Sequence, residues 1–290
     1  MNHLKRPLRR AACFATLMLL TFCLGAANAL LFAQEDVDGV KVPILMYHSI
    51  LKDPSRSGKY VVTPGQLEED LCYLKEHGYT AIVMDDLIRY VYQGQPLPDK
   101  PVMVTLDDGH LNNLTYLLPL LEQYEMKAVI SIVGSYAQRA VDWNDHNPNY
   151  AYLDWDEIHA LVASGRVEIQ NHTYNMHDQS ARSGARRKSG EAVESYQQAL
   201  RDDLQRTQQA LVELAQVPAP TTFTYPFGQI SEESEQVLMQ MGFAASLSCY
   251  ERINVITRDT RCLYQLGRYN RPSGISTAKF MKKLGIAQEE

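Results

Sequence analysis

The sequence predicts an α/β fold, a single distorted (β/α) barrel of seven to eight units. Two observations carry this expectation. Short apolar, β-branched runs alternate with helical patterns from Val42 to Leu284, the pattern of a parallel sheet covered on both faces. The units together occupy about 250 residues, the usual size of a closed or partly closed barrel. No repeat, low-complexity tract or internal linker suggests a second domain.

Residues 42–48 read as the first strand, ending in polar groups. Thr63 is the N-cap of the helix that follows, with Pro64 at its first position and Gln66 completing a capping box. Leu67, Leu71 and Leu74 form its apolar stripe, and Gly78 stops it. Residues 80–84 are the second strand, followed by a short helix through Leu87, Tyr90 and Val91. Residues 101–106 give the third strand, 113–124 a helix and 128–133 the fourth strand. The polar and aromatic stretch 135–153 reads as an insertion loop. Asp154 caps a helix reaching Ala163, and 167–170 is strand five. The loop 178–189, with Arg182, Arg186, Arg187 and Lys188, reads as a solvated basic loop. Beyond it Val193, Tyr196, Leu200, Leu204, Leu211 and Leu214 fall on one face of a long helix. Strand six spans 221–225, a helix 232–241, strand seven 243–247, a final strand 263–268 and a closing helix 278–284.

The N-terminus has the form of a targeting segment. Lys5, Arg6, Arg9 and Arg10 precede an apolar run over 11–25, and Ala27-Asn28-Ala29 supplies an A-x-A cleavage pattern. Apolar character continues through 30–33, so residues 1–29 read as a signal peptide or an uncleaved signal anchor. Residues 30–40 are then a linker and 41–290 the functional domain. Phe22 stands before Cys23 where a lipoprotein signal carries a small residue, which argues against lipidation. Export is expected, to the extracellular space, the cell wall or the outer face of a membrane, with the segment as a tether if it is retained. Its removal takes away four positive charges and no negative ones, so the formal charge falls from −6 to −10. An acidic domain is a poor candidate for nucleic-acid binding, and no nucleic-acid partner is expected. Cys72, Cys249 and Cys262 remain beyond the segment, without a C-x-x-C pair for structural zinc; a Cys249–Cys262 bridge stays open.

Chemistry gathers where strands end, as it does in parallel barrels. Strand one ends at His48, strand three at Asp107-Asp108-Gly109, strand five at Asn171-His172-Thr173, strand six at Tyr225-Pro226-Phe227-Gly228 and the last strand at Arg268. His177 follows His172 by five residues, a gap that fits a strand end plus a returning loop. Adjacent carboxylates repel, so each needs a partner. Two histidines and one carboxylate leave coordination positions open for catalysis by a divalent metal. The second carboxylate, beside a metal-bound water, is placed to act as general base. Both face the site only if the backbone turns there, which Gly109 permits.

These motifs, in this order, resemble a polysaccharide deacetylase of the NodB-homology (carbohydrate esterase 4) family over essentially everything after the targeting segment. The Pro43–His48 opening and the His-to-His gap look most like the branch acting on poly-N-acetylglucosamine. The resemblance implies a NodB-like barrel, Asp107 as base, and Asp108, His172 and His177 as ligands of a divalent metal. Zinc is the first expectation, with Co2+, Ni2+ or Fe2+ as alternatives. It also implies Thr173 as a support behind the ligands, and Tyr225, Pro226, Phe227 and Gly228 as a site-lining loop whose Phe227 N–H holds an oxyanion. The expected activity is hydrolytic N-deacetylation of an acetylated polysaccharide carrying N-acetylglucosamine, by a monomer. Two departures stand out. The family pattern has an Arg where this chain has Thr224, and a late Leu-x-His where no histidine follows His177. A closed barrel sets strand one beside the last strand, which makes His48 the candidate acid and Arg268 a replacement for the missing Arg. His110 reads as a rim residue. The departures keep two other readings open, an O-acetyl esterase and a catalytically silent glycan-binding domain.

Overall fold

Residues 39–180 and 182–286 are described by a computed structural model; the targeting segment expected at 1–29 lies outside them. From the N-terminus come β1 (Val40–Val42), β2 (Ile44–Tyr47), β3 (Ser49–Ile50), β4 (Val61–Val62), α1 (Pro64–Glu76), β5 (Thr80–Ala81), α2 (Met84–Gln93) and β6 (Pro101–Leu106). A π-turn leads into α3 (Leu118–Gln123), then β7 (Ala128–Ile132), α4 (Gly134–Trp143), α5 (Trp155–Ala163), β8 (Val167–Asn171) and α6 (Val193–Glu213). The chain closes with β9 (Thr222–Thr224), α7 (Glu232–Gln240), β10 (Ala245–Leu247), β11 (Asn254–Ile256), β12 (Tyr269–Asn270) and α8 (Thr277–Lys283).

One curled parallel sheet runs β10-β9-β8-β7-β6-β2-β12, with β5 also on β6. Its two ends are bridged by the segment before β12. Leu266 pairs with Leu247, while Tyr269 and Asn270 pair with Leu45 and Met46. The barrel expected from the sequence is therefore present as a curled α/β sheet wrapped by helices.

Local chemistry explains where element boundaries moved. The second strand stops at Ala81 because the Glu168 carboxylate accepts the Met84 and Asp85 amides and starts α2 there. Stretch 135–153 is not all loop. Gly134 opens α4 against the Tyr174 ring, where a Cβ would lie 2.5 Å from Tyr174 Cδ2, and Asn144 closes it in the left-handed region. The last strand lies later than expected, because Asn254 takes both the N–H and the C=O of Gly267 and turns the chain. At α1, Thr63 caps Gln66 as expected, but the Gln66 amide donates to Ser273 and Ile275 carbonyls instead of closing the box. The antiparallel pair β1–β11 has no counterpart in the sequence reading.

Strand parity aims the site. Val102, Val104 and Leu106 of β6 join Ile130 and Ile132 of β7 in the core beneath α1 and α3. Met103 and Val129 point the other way, to Ile44 and Leu247. Alternation then carries Thr105 and Asp107 to that inner side.

A buried ion pair ties the two ends of the domain together. Asp70 of α1 accepts Arg271 Nε and Nη2 at 2.7 and 3.0 Å, the Tyr47 hydroxyl at 2.9 Å and the Thr277 hydroxyl at 2.7 Å. Both charges are fully buried. Asp70→Ala strands the guanidinium in the core and should lower unfolding stability by about 3–5 kcal/mol, read as a drop in the urea midpoint.

Candidate active site

Asp107 is buried directly after β6, and its charge is held by a cation from the far end of the chain. Arg268 donates Nη1 to Oδ1 at 2.7 Å and Nη2 to Oδ2 at 2.8 Å. The guanidinium is itself fixed by the Ser248 carbonyl at 2.8 Å from Nε and by the Thr105 hydroxyl at 3.3 Å from Nη1. A two-pronged pair of this kind locks the carboxylate plane as well as its charge. Burial pushes the Asp107 carboxyl up, but the charge and hydrogen bonds of Arg268, together with His172 and His48, hold it below the usual range. His48, at the end of β2, places Nε2 3.9 Å from Asp107 Oδ2. Burial, only partly offset by Asp107 and Asp108, lowers this imidazole from the ordinary histidine value.

Asp108 reaches the same side because its own backbone is left-handed, with φ 75°, followed by Gly109 at φ 74°. The turn expected at the glycine thus begins one residue earlier. Its Oδ1 lies 3.6 Å from His172 Nε2 and 3.1 Å from His177 Nε2. His172 donates Nδ1–H to the Thr224 carbonyl at 2.7 Å, which leaves the Nε2 lone pair facing the carboxylate. His177 makes its Nδ1 contact with the Tyr136 hydroxyl at 3.2 Å. Ligand atoms of Asp108, His172 and His177 all lie within 4.8 Å of one another. Asp108 Oδ1 is buried with no hydrogen-bond partner among the described residues, so this oxygen and two imidazole nitrogens converge as a divalent cation requires. The donor set fits a catalytic metal with open positions. Burial raises the Asp108 carboxyl, yet contacts from His110, His172 and His177 hold it well below the usual range. A surface group, His146, Asp154 and Glu157, also comes within range of a common ion. There Asp154 and Glu157 are already engaged as the capping box of α5.

The remaining residues divide. Phe227 lines the cavity beside these groups, about 810 Å3 in volume, with Tyr60, Tyr150, His110 and Cys249. Phe227 is left-handed at φ 56°, and its ring sits 4.4 Å from that of His177. Tyr225 turns away from the site; its hydroxyl meets Ser234 at 2.8 Å in the buried cluster with Phe223 and Tyr196. Pro226 is buried, and Gly228 packs on Cys249, where a Cβ would lie 2.9 Å from the Cys249 Cβ. The loop therefore offers the cavity one residue, not four. The Thr173 hydroxyl has no hydrogen-bond partner among the described residues. That residue acts through its backbone, at φ 72°, with its amide on Asn171 Oδ1 and its carbonyl accepting the Gly134 amide. Cys249 and Cys262 are free thiols, so the bridge left open by the sequence is absent. Tyr136, Tyr152 and Cys249 received no role from the sequence. Tyr136 meets His177 across 41 residues and Cys249 meets Arg268 across 19, contacts that no local pattern marks.

The architecture and the convergent strand-end groups define a deacetylase-type α/β barrel. Among solved structures the chain is similar in fold to a Streptococcus pyogenes deacetylase in complex with acetate, at 18% identity and TM-score 0.69, over 85% of this chain and 99% of that one. It is likewise similar to a de-N-acetylase from Aggregatibacter actinomycetemcomitans, at 22% identity and TM-score 0.70, over 84% of this chain and 100% of that one. The polysaccharide deacetylase family model matches residues 94–246, and the chain belongs to that family. A poly-beta-1,6-N-acetyl-D-glucosamine N-deacetylase of Escherichia coli K12 is 24% identical over 176 residues, 56% of this chain. The match spans 26% of that relative's length.

Proposed function

We propose that the chain is a metal-dependent N-deacetylase acting, after export, on a glycan that contains N-acetylglucosamine. The observation that carries this reading is the division of the carboxylate pair, with Asp107 locked on Arg268 and Asp108 turned to two histidines. The family supports action on a polysaccharide, and the names of the Escherichia and Aggregatibacter proteins support an N-acetyl group. The charge pattern of residues 5–10 and the apolar run after it support export.

Asp108, His172 and His177 would hold a divalent ion, which would supply Lewis acidity toward the acetyl carbonyl and a more acidic water. Asp107, ionised and held in plane by Arg268, takes the proton from the attacking water. Asp107 passes that proton to His48, whose Nε2 lies 3.9 Å from Oδ2, and His48 delivers it to the amine nitrogen as the C–N bond breaks, so acetate and a free amine leave. The Phe227 N–H stabilises the oxyanion. Aromatic faces of Tyr60, Tyr150 and Phe227 around the cavity suit sugar rings.

The test is acetate release by the purified protein from N-acetylglucosamine oligomers and from O-acetylated oligomers, before and after chelation. N-acetyl turnover that is lost on chelation and restored by zinc is the expected result. Release from O-acetylated oligomers alone makes it an esterase, and saccharide binding without turnover makes it a silent domain. In the same assay His48→Gln should lower kcat roughly 10²–10³-fold without changing metal content.

A further inference from the structure

Two residues outside the ligand set grip it from one side, and a third joins them. His110 Nε2 lies 3.6 Å from Asp108 Oδ2, the oxygen turned away from His172 and His177. The Tyr136 hydroxyl meets His177 Nδ1 at 3.2 Å and donates to the His177 carbonyl at 3.4 Å. With its proton on the carbonyl, the hydroxyl oxygen can accept Nδ1–H, the tautomer of His177 that leaves Nε2 free for a metal. Tyr152 links the two. Its ring stacks on His110 at 4.9 Å and 21°, and leans on Tyr136 at 4.4 Å. Backbone bonds from Leu153 to Gly109 and from Leu111 to Ala151 tie this segment to the turn after Asp108. The Arg139 guanidinium lies 4.7 Å from the centre of the Tyr136 ring and 5.8 Å from that of Tyr152.

We propose that His110 and Tyr136 are positioning residues for the metal site, joined through Tyr152, and that they set its affinity by fixing the Asp108 carboxylate and the His177 ring. This rests on the metal-site reading above. α4 and the stretch after it then serve as the wall that pre-orients two of the three ligands.

Zinc affinity, measured by competition with a chromophoric chelator, tests it on the full chain. Tyr136→Phe and His110→Phe each keep an aromatic ring and lose the polar contact; each should weaken zinc binding roughly 10–100-fold. His110→Gln can still present an N–H to Asp108 and should stay near wild type. The absorption spectrum of the Co2+ form should shift in the two Phe variants and not in the Gln variant. Wild-type affinity in both folded Phe variants, or a Gln variant as weak as His110→Phe, overturns the proposal. If His110→Phe fails to fold, Tyr136→Phe, which removes a single oxygen, decides. Wild-type protein that binds no zinc, or a His177→Ala variant that binds it as tightly as wild type, instead defeats the metal reading beneath.

Discussion

Asp107→Asn is expected to bring acetate release to background, a fall in kcat of roughly 10³–10⁴-fold, with metal content unchanged. The reason lies in what the substitution keeps and what it removes. An Asn at this position retains the shape of the carboxyl and one oxygen that can accept from Arg268, but it cannot take a proton. The proposed ligand set of Asp108, His172 and His177 does not include this side chain, so elemental analysis should find the metal still bound. Stability should fall, because a fully buried guanidinium loses its counter-charge, a change worth on the order of 3 kcal/mol. The pH dependence gives a separate check. The Asp107 carboxyl lies below its usual value in the fold, so its contribution to stability is present above the unfolded value, near pH 4. It is lost as pH falls through the lower folded value. The stability gap between wild type and the variant should accordingly narrow in strong acid. Wild-type turnover in the Asn variant would remove Asp107 from the role of base.

Residues that report their own strand were legible in the sequence. Asp107, Asp108, His172 and the Pro-Phe-Gly turn each stand where a strand pattern ends, and a strand that stops in a parallel barrel stops at the same rim as its neighbours. His48 was placed by the same reasoning, since closing the barrel sets β2 beside β12. The partnership of Arg268 with Asp107 followed only from that closure, because 161 residues separate them. Periodicity carried less where one side chain answers to two demands. Tyr225 looks like a strand-end site residue, yet the parity of β9 sends it into the Phe223 cluster. The helix α4 was hidden because its residues are polar and aromatic, and its packing rests on the fit of Gly134 against Tyr174, a contact across 40 residues. The wall of His110, Tyr136 and Tyr152 is of the same kind. Ring-to-ring contacts between distant residues leave no spacing rule behind them.

His172→Ala and His177→Ala are both expected to lose the metal, by more than the roughly 10–100-fold that loss of a mere supporting partner costs. They should differ in what else they lose. His172 is buried, and its Nδ1–H satisfies the Thr224 carbonyl inside the barrel. Removing it leaves that carbonyl without its donor and opens a cavity, so this variant should also melt earlier, by about 1–3 kcal/mol. His177 sits on the loop after β8 with 15% of its side chain exposed, and its removal should leave the fold near wild-type stability. The two variants thus separate metal binding from folding, and their kinetics separate ligands from base. Excess zinc should return part of the activity to His177→Ala, where two ligands and an intact Asp107 remain, and none to Asp107→Asn, where the ion is already in place. Unchanged metal content in either histidine variant would count decisively against the ligand set. Rescue of the Asp107 variant by metal would mean that the two carboxylates have been assigned the wrong way round.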